Sequence, residues 1–170
     1  MSKDRKLDSL DPATLRTVLG HYPSGVTIVT CVIDGAPTGF TCQSFHSLSL
    51  DPPMVVLLAG RNSKTWPKIR DAGKFCVNIL SEDQRDLCRQ FAVSDSDKFS
   101  GVSWHPSPNG SPVIDAVSGW VECELDSEFD GGDHLIVTAR VTNLSAEESA
   151  YPLVFHRGIF RSIAADPIWT

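Results

Sequence analysis

The chain is short of the features that would place it quickly in a class. Its five cysteines (Cys31, Cys42, Cys76, Cys88 and Cys123) are odd in number, and no two stand as C-x-x-C. That argues against a disulfide framework and against a structural zinc site. His21, His46, His105 and His156 are scattered without metal-ligand spacing, so no metal is expected. No apolar run approaches the roughly 20 residues that a bilayer span needs, and Met1 to Lys6 have no apolar signal core behind them. The net charge of -6 offers no general attraction to nucleic acid or anionic lipid. The expectation is a reduced, cytoplasmic protein whose partners include neither a membrane nor nucleic acid. No G-x-G-x-x-G occurs, which excludes a Rossmann fingerprint. No G-x-S-x-G elbow supports a hydrolase. There is no internal repeat.

What is present is ordinary globular material, with 170 residues, 41% of them hydrophobic and 21% charged. This suits one domain with a substantial core, expected over residues 11–165 behind a flexible tail, 1–10. Asp11-Pro12 reads as the cap and first turn of a helix with the apolar stripe Leu15, Val18 and Leu19, ended by Gly20. Residues 25–33 are β-branched enough for a buried strand. Asp34-Gly35 signals a hairpin, with the return strand over 37–45. Asp51-Pro52-Pro53 predicts an extended turn, then a strand over 54–59. Thr65-Trp66-Pro67 opens a second helix that Gly73 ends, and residues 75–80 read as a strand. Ser81 to Gln84 fit a capping box, so a third helix is expected over 82–92. Residues 100–112 read as loop. Strands are expected at 120–125, 135–141 and within 153–163, with Asp130 to Asp133 as a turn. About seven strands and a few short helices, without regular alternation, predict a mainly β protein built on a closed or nearly closed antiparallel barrel.

The residues with the most chemistry lie between 38 and 65. Thr38, Thr41, Gln43 and Ser44 offer hydrogen bonds to a flat polar ligand, and Gly39 permits a close approach of the backbone. On a period of two, Gly39, Thr41 and Gln43 share one face, whereas Thr38, Cys42 and Ser44 share the other. Both sets meet one ligand only through backbone groups or a bend after Gln43. Asn62, Ser63, Lys64 and Thr65 sit before a helix whose free amides and dipole would favour a phosphate. Arg61, Lys64, Lys68 and Arg70 form a local basic patch in sequence. His134, after Gly131-Gly132-Asp133, stands at a strand mouth, where it can donate to a phosphate, an amide or a ring oxygen. Arg157, in Phe155-His156-Arg157-Gly158, could face the same entrance. The same residues also suit an ordinary polar strand, a solvated helix cap and a loop-bonded histidine. The tryptophans Trp66, Trp104, Trp120 and Trp169 read as core or interface anchors.

Taken in order, Pro23-Ser24-Gly25-Val26-Thr27, Gly39-Phe40-Thr41-Cys42-Gln43-Ser44-Phe45, Ser49-Leu50-Asp51-Pro52-Pro53, Asn62-Ser63-Lys64-Thr65, Phe75-Cys76-Val77-Asn78, Phe91-Ala92, Asp97-Lys98-Phe99 and Gly132-Asp133-His134 resemble the short-chain flavin reductases. These are the reductase components of two-component flavin-dependent monooxygenases. The resemblance runs from about residue 11 to 163. It implies an FMN-binding split β-barrel and a homodimer, with flavin near the subunit interface. It further implies that Thr38, Gly39, Phe40, Thr41, Cys42, Gln43 and Ser44 line the flavin ring and ribityl chain, and that Asn62, Ser63, Lys64 and Thr65 meet its phosphate. Ser24 and Thr27 would lie close to the ring, and Ala59, Phe99 and Arg157 complete the expected cofactor set. His134 would sit beside the nicotinamide cofactor as the one catalytic residue. Cys42-Gln43 stand where many relatives carry two small residues, which leaves FMN against FAD open. The implied activity is NAD(P)H:flavin oxidoreduction, with NADH favoured over NADPH, and reduced flavin passing to a separate monooxygenase. A non-catalytic flavin-binding redox module and an oxidase of the pyridoxamine-phosphate type are the alternatives.

Overall fold

The computed structural model describes residues 10–94 and 96–163. The flexible tail expected over 1–10 falls almost wholly outside the described residues, as do the expected domain end at 165 and Trp169. Helix α1 (Pro12–Leu19) starts where expected, because Asp11 Oδ1 accepts from the Ala13 and Thr14 amides. Its apolar stripe is not covered, however: Leu15, Val18 and Leu19 are 43%, 48% and 67% exposed. The strand expected over 25–33 is divided. Ser24–Gly25 forms β1, and Thr27–Ile33 forms β2. Asp34 and Gly35 both have positive φ, as a tight two-residue hairpin requires, and deliver the chain into β3 (Ala36–Cys42). That strand ends three residues earlier than expected. The chain bends at Gln43 and restarts as β4 (His46–Leu50), a strand that sequence patterning did not separate.

The Asp51-Pro52-Pro53 turn is tight rather than extended. Leu50 pairs directly with Pro53 at the head of β5 (Pro53–Gly60), and the Asp51–Pro52 peptide is cis. Helix α2 (Trp66–Ala72) runs to Gly73 in the left-handed conformation, and β6 (Lys74–Ile79) follows. Helix α3 (Arg85–Ala92) begins three residues later than the capping-box reading. Gln84 Oε1 does reach back to the Ser81 amide at 3.0 Å, but Ser81 is held in a bridge to Pro152, so the helix cannot start there. The expected loop over 100–112 contains β7 (Trp104–Pro106), which pairs with β8 (Pro112–Ile114). The long hairpin of β9 (Gly119–Gly131) and β10 (His134–Ala146) outruns its expected strands at both ends. Strands β11 (Val154–His156) and β12 (Ile159–Arg161) close the described chain.

Seven strands form one antiparallel sheet in the order β3-β2-β6-β9-β10-β5-β4, while β1, β11 and β12 make a small sheet beside it. The main sheet curls until β3 comes back toward β5, giving a barrel that is split between those strands. Val29, Cys31, Leu57, Trp66, Phe75 and Val77 fill the inside. On the other side of β2, Val26, Ile28, Leu80, Phe91 and Leu153 form a second apolar cluster that seats α3. Strand β2 is therefore buried on both faces, which explains its unbroken β-branched run. No helix among the described residues is long and apolar enough to cross a membrane.

A buried polar node ties the layers together. Asn78 is fully buried; its amide nitrogen donates to Thr30 Oγ1 (3.0 Å) and to the Ile28 carbonyl (3.2 Å), and its Oδ1 accepts from the Ile114 amide (2.8 Å). One side chain thus joins β2, β6 and β8. Asn78→Ala should cost about 3 kcal/mol of unfolding free energy, because it leaves the Ile114 amide and Thr30 hydroxyl under-bonded in the core. Chemical denaturation checks this, and a loss below about 1 kcal/mol would mean that the node is not what couples the layers. A second node is acidic. Burial pushes the Glu122 carboxyl up, but bonds from the Asn109 amide, Ser107 and Thr142 and the charge of Lys74 outweigh it, and the net displacement is downward. A depressed carboxyl contributes stability above its unfolded value and loses it as pH falls through the folded one. Glu122→Gln should therefore flatten the acid limb of the stability–pH curve; an unchanged limb counts against the node.

Candidate flavin site

The split between β3 and β5 opens into a cavity of about 850 Å³. Its first wall is the free edge of β3. The two-residue turn makes Ile33 and Ala36 a hydrogen-bonded pair, and antiparallel alternation then points the backbone groups of Gly39 and Thr41 away from β2, toward the open side. This resolves the conflict between the two faces of the strand. The cavity borders the rim of β3, so Thr38, Phe40 and Cys42 from one face and Thr41 from the other all line it, and the bend at Gln43 adds Gln43 and Ser44. Ser44 also spans the split: its hydroxyl donates to the Leu58 carbonyl and accepts from the Leu58 amide, both at 3.1 Å.

The second wall is the loop after β5. Asn62, Ser63, Lys64, Thr65 and Lys68 line it. The basic patch read from the sequence is divided here. Arg61 is ion-paired with Asp130 and donates to the Gly132 carbonyl at 2.7 Å, and Arg70 pairs with Asp71. Only Lys64 and Lys68 of that patch line the cavity. The start of α2 offers fewer amides to an anion than the sequence implied. Trp66 N–H is taken by Ser63 Oγ at 3.0 Å, Pro67 has none, and Lys68 N–H bonds to the Thr65 carbonyl. Lys64 and Lys68, with the Asn62 amide and Thr65 hydroxyl, supply the polar groups of this wall.

The third wall was not legible as such. Arg89, Phe91 and Ala92 of α3 and Ser94, Ser96, Asp97 and Lys98 after it face the cavity. Thr41 Oγ1 donates to the Cys88 carbonyl at 2.8 Å and Lys98 Nζ to the Gly39 carbonyl at 3.0 Å, so this wall is bonded to the rim of β3. Arg89 also lies over the Phe160 ring, 5.5 Å from its centre. Cys42 and Cys88 line the cavity with buried thiols. Burial pushes both up from the ordinary thiol value, which keeps them in the unreactive protonated form.

His134 stands at the mouth. It pairs with Gly60 across β10 and β5 and with Gly131 across the hairpin. Its Nδ1 is 2.8 Å from Asp133 Oδ1, which fixes the ring and leaves Nε2 on the Gly60 side. The His134 hydrogen bond is the largest cause holding the Asp133 carboxyl below the usual range, and the charge of Arg16 adds to it. Gly60, absent from the sequence reading, also lines the cavity beside His134. His134, Gln43, Ser44 and Phe155 also wall a second cavity of about 1080 Å³, on which Ser24 and Arg157 lie.

Four expected residues lie off both cavity walls. Gly39 is buried against α3: an added Cβ would come within 2.6 Å of the Val29 carbonyl and 3.1 Å of the Phe91 ring, so packing demands the glycine there, and only its backbone reaches the rim. Ala59 is fully buried inside the barrel. Thr27 donates to the Cys42 carbonyl at 2.7 Å and so fixes the end of β3. Phe99 packs edge-on between Phe91 and Trp104. These act behind the wall.

Residues 19–164 match the model of the flavin reductase like domain. A flavin reductase of Pseudomonas putida is 47% identical over 158 residues, covering 92% of this chain and 93% of that one. The reductase subunit HsaB of a flavin-dependent monooxygenase from Rhodococcus jostii is 44% identical, covering 94% and 82%. Among solved structures, the NADH:FAD oxidoreductase SgcE6 of Streptomyces globisporus, in complex with NAD and FAD fragments, superposes with a TM-score of 0.87 at 33% identity, covering 92% and 94%. The split barrel described above is the architecture these proteins share, and the chain belongs to the flavin reductase-like family.

Proposed function

We propose that this protein is an NAD(P)H:flavin oxidoreductase that reduces FMN or FAD and releases the product to a separate flavin-dependent monooxygenase. The observation that carries the reading is the 850 Å³ cavity in which the β3 rim, the loop 62–65 and His134 meet. The donor set fits a flavin. The Thr41 backbone and the side chains of Thr38, Gln43 and Ser44 match the polar ring edge and ribityl chain, and Lys64 and Lys68 match a phosphate. When both are bound, hydride passes from the dihydronicotinamide ring to the flavin ring, chemistry that belongs to the two heterocycles.

The chain's own residues bind, orient and exclude water. The bent end of β3, clamped by Ser44 onto β5, holds a planar ligand against a rigid sheet edge. Asp133 locks the imidazole of His134, which then positions a nicotinamide at the mouth. No nucleophile is required, and the protonated Cys42 and Cys88 supply none. The complex of the Streptomyces relative with NAD and FAD fragments supports NADH as the donor and leaves the choice of flavin to experiment. A second copy of the chain is the partner that suits the uncovered apolar face of α1; sedimentation as a dimer, lost on Leu19→Glu, checks it. Five free cysteines accord with a reducing cytoplasm.

The decisive assay follows dihydronicotinamide absorbance with purified protein and excess FMN or FAD. Fast, flavin-dependent oxidation is expected, and the faster flavin names the preferred one. Flavin binding without oxidation of NADH or NADPH would instead make the protein a binding module. His134→Ala should lower turnover with NADH by at least about tenfold while flavin affinity holds; unchanged kinetics would remove His134 from the site. Lys64→Ala should weaken FMN about tenfold, or ~1.4 kcal/mol, and riboflavin little. Equal losses would argue against a phosphate contact.

A further inference from the structure

The resemblance gives a role to Phe99 and none to Lys98, and the structure reverses the two. Phe99 packs behind the third wall, whereas Lys98 lines the cavity. The lysine is rooted firmly for a residue beyond the end of a helix. Gln90 Nε2 of α3 donates to the Lys98 carbonyl at 2.9 Å and to the Ser100 carbonyl at 3.0 Å. Phe99, the next residue, packs edge-on against Phe91, with ring centres 5.0 Å apart. The Phe99 amide donates to Asp97 Oδ1 at 3.3 Å, which turns that carboxylate back onto the loop. From this root the side chain crosses to the rim of β3, where the ammonium donates to the Gly39 carbonyl at 3.0 Å. The wall is already tied to the same strand through Thr41 and the Cys88 carbonyl. A further tether needs a hydrogen-bond donor and not a net charge. A charge fixed there invites the question of what it meets.

The proposed reaction makes a negative charge beside this rim. The hydride leaves C4 of the donor and bonds to N5 of the flavin. The donor becomes a pyridinium cation, and the flavin ring takes one negative charge, shared between N1 and the C2 oxygen. We propose that Lys98 stabilises that charge, with the N1–C2 edge of the ring lying at the Gly39 end of the rim. The oxidised ring is neutral, so the attraction grows as the hydride moves and favours the reaction more than the binding of substrate. A charge near N1 is one of the means by which a protein tunes a flavin. The ammonium is half-buried, so solvent moderates its pull and the product can still leave. The inference rests on the reductase reading and adds to it an orientation for the flavin and an electrostatic role for one residue.

The test reads the two redox states of the flavin separately. Equilibrium binding is measured with riboflavin and with FMN, each oxidised and then reduced by dithionite without oxygen. Lys98→Met keeps much of the length of the side chain and removes its charge. It should weaken reduced flavin about tenfold relative to oxidised flavin, for riboflavin and FMN alike. It should also lower kcat with NADH about tenfold while the KM for flavin changes little. Lys98→Arg should keep most of both. Equal losses for the two redox states would overturn the assignment and leave Lys98 a tether of the wall. A loss seen with FMN and absent with riboflavin would overturn it too, since the charge would then serve the phosphate. Where the unaltered protein binds flavin but oxidises no dihydronicotinamide, a selective loss for reduced flavin sustains the assignment and only the reductase reading falls. Where oxidation is fast and the selectivity does not move, the assignment falls and the reading stands.

Discussion

One hydroxyl does what a strand ladder would otherwise do. Ser44 both donates to and accepts from the backbone of Leu58, replacing a rung between the end of β3 and the middle of β5. The two strands are joined there and separate elsewhere. Had the ladder continued, the barrel would close and the rim of β3 would be spent on hydrogen bonds to β5. Had nothing crossed, the rim would be an unprotected edge, with the pairing hazards that such edges carry. Thr27 fixes the same strand end from the other side through the Cys42 carbonyl. The cavity exists because this closure is made once, by side chains, and then stops.

Charge around that opening is sorted by place in the fold rather than by sequence. Arg61 and Arg70 have carboxylates at hand, Asp130 and Asp71, and are turned to structural use. The Arg61 contacts with Asp130 and Gly132 pin the loop after β5 onto the β9–β10 turn that presents His134. Lys64 and Lys68 line the cavity instead. A chain with a net charge of -6 can thus present a locally basic wall, because the potential that matters is local.

The parts of the molecule legible in the sequence are those fixed by short-range geometry. Asp34-Gly35, Asp11-Pro12 and Thr65 to Gly73 each declare themselves within a few residues, and the structure keeps them. The elements that were misjudged depend on distant partners. Gly25 leaves the strand expected over 25–33 because β11 offers another edge. Residues 104–106 become a strand because 112–114 lie opposite. At the candidate site, the rim of β3, the loop 62–65 and His134 were legible from side-chain chemistry and family resemblance. The wall from α3 was not, since Arg89 and Ser94 carry no local pattern and acquire meaning only when Phe91 packs on Gly39. That glycine was read as allowing a ligand close to the backbone; its lack of a Cβ also answers to the Val29 carbonyl of β2 and to the helix behind it.

A site of this construction has a consequence for turnover. The two cavities share His134, Gln43, Ser44 and Phe155, so ligands bound in them would meet along one wall. Neither is held by a covalent bond or a resident metal in such an arrangement. In the proposed function each would be held by hydrogen bonds and by cationic side chains near solvent, interactions that water and salt weaken. A ligand bound this way is oriented well and retained poorly. For an enzyme whose product must leave for another protein, that balance favours release over tight binding.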